Sequence, residues 1–237
     1  MTNAYEAGWQ ATRGRITAAA GAAGRDPGSV RLLAVSKTFG ADAIRAVHGL
    51  GQRAFGENYV QEAAEKRAEL GDLAGLEWHL IGPLQGNKAR LAADLFDWVE
   101  TVDRLRIAER LSAARDPARG PLDVLVQVNV SGEVTKSGVS VPEAVALAQA
   151  VAGLPNLRLR GIMGIPEPTA DPARQRAGFR ILRECLERCR AAGLNMDTLS
   201  MGMSDDLHSA IAEGATQVRV GTAIFGRRAA PATRSTP

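Results

Sequence analysis

Short apolar or β-branched runs alternate along the chain with Ala- and Arg-rich segments whose apolar residues recur at helical spacing. The runs predict eight strands, at residues 30–37, 54–59, 77–82, 96–103, 123–130, 157–166, 198–203 and 217–225. The segments between them predict helices at residues 42–50, 60–70, 87–94, 104–114, 142–152, 174–192 and 205–213, after a leading helix that ends before residue 21. Eight strands that each precede a helix indicate a single-domain α/β fold, a closed parallel (β/α)8 TIM barrel. An open doubly wound sheet is the alternative, because periodicity does not reveal closure, but eight repeats favour the barrel.

The sequence offers no sharp internal domain boundary. Gly- and Pro-rich pieces at 21–28 and 166–172 have the length of ordinary connections between elements. We therefore expect one barrel domain over residues 1–228. The stretch 229–237 contains Ala, Pro, Thr, Ser and Arg with nothing to pack, which predicts a disordered C-terminal tail.

Composition excludes several classes of protein. Of the 237 residues, 45% are hydrophobic and 23% are charged, which is typical of a folded domain rather than a disordered one. No run approaches the ~18 apolar residues that a membrane span needs, and charged residues near the N-terminus argue against a secretory signal. The net charge is +3, but 29 basic and 26 acidic residues are interleaved, so no nucleic-acid surface is expected.

Two cysteines, Cys185 and Cys189, are spaced i and i+4 on one predicted helix. They suggest neither a disulfide framework nor, without a second pair of ligands, a metal site. His48 and His208 have no metal-like spacing either. We therefore expect a cytoplasmic protein without a metal.

Lysine is rare in this chain, which makes each lysine worth considering. Of the 29 basic residues 25 are Arg, and the four lysines stand at positions 37, 66, 88 and 136. Lys37 ends the first predicted strand, and strand alternation places Leu33, Val35 and Lys37 on one face. Burial among apolar neighbours would lower the pKa of its amine, as imine formation requires. The alternative is a lysine that extends from the strand end into water.

The last two predicted strands carry residues suited to a phosphate. Barrel enzymes often bind phosphate with the loops that follow strands seven and eight. Ser204 follows the seventh strand, and Gly221 and Thr222 lie in the eighth. Asp205 and Asp206 would repel a phosphate that they faced, so we expect both to point away.

Polar residues at other strand positions suggest a shared pocket. Arg219 alternates with two valines and is expected to point into the barrel, where it needs a ligand acceptor or an internal salt bridge with a residue such as Glu57. His79 lies between apolar residues near a strand end and is either a core histidine or a base. Asn58 and Asn129 each end a strand.

These segments together closely resemble the pyridoxal phosphate homeostasis protein family. The matching stretches are 34–38 (AVSKT), 55–59 (FGENY), 78–85 (WHLIGPLQ) with Asn87 and Lys88, 136–139 (KSGV), 161–163 (GIM) with 165–166 (IP), 199–204 (LSMGMS) and 218–226 (VRVGTAIFG). They occur in order, at the family's spacing, over nearly the whole chain. The family's fold resembles the N-terminal barrel domain of alanine racemase, in agreement with the strand count.

The resemblance implies that pyridoxal 5′-phosphate (PLP) is the cofactor and that Lys37 holds it as a Schiff base. It places Ser204, Gly221 and Thr222 around the phosphate and Arg219 near the pyridine nitrogen. Asn58, His79 and Met201 are implied to line the ring pocket.

The resemblance further implies a monomer whose partners are PLP and PLP-dependent apo-enzymes. The chain departs from the family pattern at Gly40, where proline is usual, and at Gly86, Gly164 and His208, none of which is an implied ligand. Lys136 is a candidate for a second, weaker cofactor site, although a solvated loop lysine is the favoured interpretation.

Arg219 bears on whether such a protein would be an enzyme. An arginine gives up no proton, so it leaves the pyridine nitrogen unprotonated and weakens the cofactor as an electron sink. Alanine racemases take a second base, a tyrosine, from an additional domain, whereas only Tyr5 and Tyr59 occur here.

The function expected is that of a PLP-binding protein that supports intracellular PLP and amino-acid or keto-acid homeostasis, without robust catalysis or a catalytic residue. One alternative is a minor PLP-dependent racemase or lyase acting on a small amino acid. Another is a cofactor-free aldolase that uses Lys37.

Overall fold

The apolar runs form strands in the computed structural model, which describes residues 3–133 and 136–226. The strands are β1 (Arg31–Val35), β2 (Ala54–Glu57), β3 (Glu77–Leu80), β4 (Trp98–Val102), β5 (Leu122–Asn129), β6 (Val139–Ser140), β7 (Leu157–Gly164), β8 (Thr198–Ser200) and β9 (Gln217–Val220). Their order is β4-β3-β2-β1-β9-β8-β7-β5, and β4 also pairs with β5, which closes a parallel barrel. The (β/α)8 barrel is confirmed, and the open-sheet alternative is wrong.

The segments between the strands form the outer layer of the barrel. The helices are α1 (Glu6–Ala22), α2 (Ala41–Gly49), α3 (Val60–Glu69), α4 (Ala89–Leu95), α5 (Leu105–Ala114), α6 (Ala144–Ala152), α7 (Pro172–Ala191), α8 (Leu207–Ala212) and α9 (Thr222–Phe225). The start of α7 shows how sequence sets a boundary: Asp171 accepts a hydrogen bond from the Ala173 N–H, and Pro172 occupies the first turn.

Small residues bring the helices and strands close together. The buried faces of α4 and α6 are rich in alanine, and α6 packs on β5 and β7, which are buried along most of their length. At Gly161 in β7, a Cβ would collide with the Thr198 carbonyl oxygen of β8, so only glycine allows this approach. A dense core therefore surrounds the strands and fixes where their carboxyl ends lie.

The end of the chain differs from the sequence prediction. The sequence predicts that the eighth strand continues through residue 225, but β9 ends at Val220 and the chain turns at Gly221 into the short helix α9. The Ile224 and Phe225 N–H groups donate to the Gly221 carbonyl oxygen. Burial of Ile224 and Phe225 beside α1 outweighs the strand preference of these residues.

Two smaller differences concern the sheet. The strand β1 ends two residues before Lys37, which lies in a turn, and β6 is an unpredicted two-residue strand paired with β5. The predicted boundary at residue 228 and the tail 229–237 lie outside the described residues, so the domain limits stay a prediction.

The described residues form neither a membrane-spanning helix nor a cluster of metal ligands. No helix in that part of the chain has the length and apolar character to cross a membrane. Over the same residues, no group of three or more His, Cys, Asp or Glu side chains is placed to hold a metal ion. Cys185 and Cys189 are free thiols buried on α7.

Candidate functional site

A cavity of about 800 Å³ opens at the carboxyl ends of the barrel strands, the face on which TIM-barrel enzymes carry their active sites. Six of the eight residues predicted for the site line it: Lys37, Asn58, Ser204, Arg219, Gly221 and Thr222. They follow or end four different strands and converge because the barrel is closed.

Lys37 reaches the cavity from a tight turn after β1. The Phe39 N–H donates to the Ser36 carbonyl oxygen at 3.0 Å, and Thr38 adopts a positive φ of 70°. Val35, on the same face of β1, is buried and also lines the cavity. The turn therefore presents the amine beside an apolar wall.

The turns after β8 and β9 lie next to each other at one end of the cavity. The Arg219 N–H of β9 donates to the Gly202 carbonyl oxygen at 3.0 Å, which joins β9 to the turn after β8. Asp206 turns its carboxylate back to the Met203 N–H, 2.5 Å away, and burial raises the pKa of that carboxyl. Asp205 is among the residues that line the cavity.

Arg15 lines the cavity, although the sequence does not predict it as a site residue. It lies on α1, and its Nη2 donates to the Ser204 carbonyl oxygen at 2.6 Å, within the turn after β8. The guanidinium thus adds positive charge to the end of the cavity that contains the Ser204 hydroxyl. No periodic or spacing signal points to it, because α1 precedes the barrel strands.

Arg219 is buried, as strand alternation predicts, but its partners are neutral. Its Nη1 donates to the Ser200 hydroxyl at 2.7 Å and its Nη2 to the Gly164 carbonyl oxygen at 2.9 Å. Among the described residues no carboxylate is within ion-pairing distance of it, so the expected alternative of a salt bridge with Glu57 is wrong. Burial lowers the pKa of Arg219, while the charge of the nearby Glu100 opposes that effect.

His79 and Met201 are buried, and neither is among the residues that line the cavity. The His79 ring stacks on Trp98 with centroids 5.2 Å apart. Its Nδ1 lies 2.7 Å from Glu100 Oε1 and its Nε2 lies 2.7 Å from Glu77 Oε1. Burial alone would lower the pKa of His79, but these carboxylates raise it, so the arrangement favours a charged core histidine.

A hydrogen-bonded chain connects this core to the cavity. The Ser200 hydroxyl donates to Glu100 Oε2 at 2.6 Å and accepts from Arg219. Gln217 donates to the other Glu100 oxygen at 2.7 Å. Burial would raise the pKa of Glu100, but hydrogen bonding and charge from His79, together with the charge of Arg219, hold that pKa low.

The wall opposite Lys37 is formed by residues at the end of β5 and the loop after it. Asn129 donates to the Lys136 carbonyl oxygen at 3.2 Å, and Lys136 Nζ pairs with Glu133 at 2.7 Å. Lys136 lines the same cavity as Lys37. It therefore borders the candidate site, and its role in a second, weaker cofactor site stays a prediction.

Comparison with known proteins identifies the family. The alanine racemase N-terminal domain model matches residues 10–229. The pyridoxal phosphate homeostasis protein of Pseudomonas aeruginosa is 60% identical over 214 residues, which cover 90% of this chain and 91% of that protein. The chain belongs to the pyridoxal phosphate homeostasis protein family. The member from Escherichia coli strain K12 is 52% identical over 218 residues, covering 91% of this chain and 93% of its own.

Solved structures relate this family member to proteins of known fold. PipY of Synechococcus elongatus PCC7942, in a structure with PLP bound, matches with a TM-score of 0.77 and 41% identity, covering 84% of this chain and 93% of PipY. Alanine racemase from Corynebacterium glutamicum matches with a TM-score of 0.67 at 19% identity, over 92% of this chain and 61% of the racemase. The second likeness concerns the barrel fold alone.

Proposed function

We propose that this chain binds PLP in the cavity, linked covalently through Lys37, and supports PLP and amino-acid or keto-acid homeostasis without robust turnover. The observation that carries the proposal is the meeting of Lys37, Ser204 and Arg219 around one cavity. The names of the curated relatives and the PLP-bound structure of PipY support the same ligand.

The donor set of the cavity fits PLP. When bound, PLP supplies an aldehyde carbon that condenses with a lysine amine, with loss of water, and a phosphate that anchors it. The hydroxyls of Ser204 and Thr222 suit the phosphate, and a Cβ at Gly221 would approach the Val35 carbonyl oxygen to 3.1 Å, so glycine keeps that turn close to β1. The buried Arg219 guanidinium, with only neutral partners in hydrogen-bond reach, suits a nitrogen acceptor on the ligand.

Two features favour a carrier over an enzyme. Arg219 can donate a hydrogen bond to a pyridine nitrogen but cannot protonate it, which limits the chemistry available at the ring. Neither tyrosine of the sequence lines the cavity: the Tyr5 ring packs against Phe225 with centroids 5.6 Å apart, and Tyr59 is 60% exposed. A tyrosine base like that of racemases is therefore absent from the cavity lining. A minor PLP-dependent racemase or lyase is the alternative.

We further propose where the protein acts and which proteins it serves. The protein acts in the cytoplasm as a monomer, and PLP-dependent apo-enzymes are the partners that would receive the ligand. An open cavity whose wall contains Lys37 supports both loading and release.

The test is an absorbance titration of the purified chain with PLP, for the wild type, Lys37→Ala and the matched control Lys88→Ala. We expect a visible band in the wild type and in Lys88→Ala and none in Lys37→Ala. Borohydride reduction followed by peptide mass analysis should place the adduct on Lys37. If the wild type forms no band, the proposal fails, and a cofactor-free aldolase that uses Lys37 becomes the favoured function. If the band forms and the protein racemises or cleaves an amino acid in a Lys37-dependent manner, the minor enzyme is the correct function.

A further inference from the structure

A buried lysine forms a hydrogen bond to the turn that contains Lys37. Lys66, on α3, is 5% exposed. Its Nζ donates to Glu57 Oε1 at 2.8 Å, to Glu62 Oε1 at 2.7 Å and to the Ser36 carbonyl oxygen at 2.9 Å. One ammonium thus satisfies its three donors with two carboxylates and the backbone of the residue just before Lys37.

The same two carboxylates hold the turn on both sides of Lys37. The Ser36 hydroxyl donates to Glu57 Oε1 at 2.6 Å, and the Thr38 N–H donates to Glu62 Oε1 at 2.5 Å. The residues before and after Lys37 are therefore both hydrogen-bonded to carboxylates that Lys66 connects. We call Glu57, Glu62 and Lys66 the turn clamp.

The conformation of the turn explains why it needs such support. Thr38 has a φ of 70°, in the left-handed region that a β-branched residue seldom adopts. Strained backbone of this kind persists where the surrounding structure over-determines it. The charge-assisted bond from the Thr38 N–H to Glu62 holds the backbone at that strained residue.

The turn clamp lies outside the lining of the cavity. None of its three residues is among those that line the cavity, whereas Lys37 and Val35 are. A buried ion pair is also a weak way to gain stability, because desolvation opposes its Coulomb attraction. What the arrangement provides is a set of fixed acceptors for the backbone of the turn.

We propose that Lys66, together with Glu57 and Glu62, is a positioning site that fixes the turn 36–38 so that the Lys37 amine faces the cavity ready to react with an aldehyde. This inference rests on the proposed role of Lys37 in binding PLP. The clamp residues touch neither ligand nor reacting atoms and act through the turn.

The decisive experiment compares Glu62→Ala with Glu62→Gln. An amide oxygen still accepts from the Thr38 N–H, whereas alanine does not, and both variants remove the charge that faces Lys66. We expect Glu62→Ala to raise the Kd for PLP about tenfold, as loss of one charge-assisted hydrogen bond implies, and Glu62→Gln to restore most of the affinity. Glu65→Ala, an exposed position on the same helix, should bind as the wild type does.

A readout without ligand accompanies the titration. Hydrogen exchange of the peptide that contains Thr38 should be faster in Glu62→Ala than in Glu62→Gln or the wild type, because only the alanine variant frees that amide. Lys66→Met, which leaves Glu57 buried without its cation, should weaken binding further. Should Lys66→Met not fold, the Glu62 pair still decides the question.

The outcomes separate the two proposals. If the wild type shows no Lys37-dependent band, the proposed function fails and the inference fails with it. If the wild type shows the band and folded Glu62→Ala keeps the wild-type Kd and exchange rate, the inference alone is overturned. If Glu62→Gln is as impaired as Glu62→Ala, although its amide oxygen can still accept from the Thr38 N–H, that hydrogen bond does not position the turn and the inference is overturned.

Discussion

The Phe39 ring stacks on the Phe225 ring with centroids 5.1 Å apart and an interplanar angle of 30°. Phe39 lies two residues after Lys37, and Phe225 ends α9, which begins at Thr222. Tyr5 meets the same Phe225 ring edge-on. The turn with the amine and the turn suited to phosphate are therefore held together by one aromatic contact.

We predict that Phe225→Ala lowers the free energy of unfolding by about 3–5 kcal/mol, the range for truncating a buried phenylalanine, and also weakens PLP binding. Urea denaturation of the ligand-free chain and a PLP titration measure the two effects. Phe179→Ala, at a buried position on α7, is the control: it should cost similar stability and leave the Kd unchanged. Equal affinity losses in the two variants would show that Phe225 contributes only through global stability.

We predict that Arg15 makes the cavity bind a ligand with a phosphate more tightly than the same ligand without one. Its guanidinium lies beside Ser204, so Arg15→Gln should weaken PLP binding about tenfold by removing a charge-assisted contact to the phosphate. Binding of pyridoxal, which lacks the phosphate, should not change. Higher salt should reduce the difference, because Arg15 is partly exposed.

The control for Arg15 is on the same helix. Arg13 lies over the Trp9 ring at 4.9 Å and does not line the cavity, so Arg13→Gln should bind both ligands as the wild type does. Equal losses for PLP and pyridoxal in Arg15→Gln would remove the guanidinium from phosphate recognition.

Periodicity predicts much of this site and misses what depends on tertiary packing. The ends of parallel strands converge, so strand positions alone predict that Lys37 and Ser204 share a cavity. The sequence does not predict the role of Arg15, because Arg15 and Ser204 are 189 positions apart along the chain and meet only once the barrel has closed. The helix α9 is not predicted because burial of Ile224 and Phe225 beside α1, together with the stacking of Phe225 on Phe39, outweighs their strand preference.

For charged residues in the barrel, periodicity likewise predicts the direction of a side chain but not its contacts. Alternation predicts that Arg219 points inward, but it does not predict its partners, since these come from β7 and β8. Glu57 forms an ion pair with Lys66 instead. The sequence does not predict that Lys66 is buried, because the helix that contains it is mostly polar. Residue type therefore indicates which groups need partners, and only the fold decides which partners they find.

Ser200 should influence the Arg219 guanidinium, which we propose to contact bound PLP. Ser200→Ala removes the hydroxyl between Glu100 and Arg219, and we predict a loss of about 1–3 kcal/mol in stability because buried groups lose their partners. The freed Arg219 donor should also change the position of the visible band of bound PLP. Ser209→Ala, whose hydroxyl donates to Gln175, is the matched control and should leave the band unchanged. An unaltered band in Ser200→Ala would disconnect this chain of hydrogen bonds from the ligand.

We predict that Glu77 makes the free energy of unfolding depend on pH. Burial alone would raise the pKa of Glu77, but hydrogen bonds from His79 and Arg31 lower it from 4.5 to about 2. A carboxyl with a lowered folded pKa stabilises the protein above its unfolded pKa, and this contribution disappears as the pH falls from about 4.5 to about 2. We therefore expect Glu77→Gln to be less stable than the wild type at neutral pH, with the difference shrinking across that window. Urea midpoints measured at several pH values test this; a difference that stays constant down to pH ~2 would mean that Glu77 does not titrate as the geometry requires.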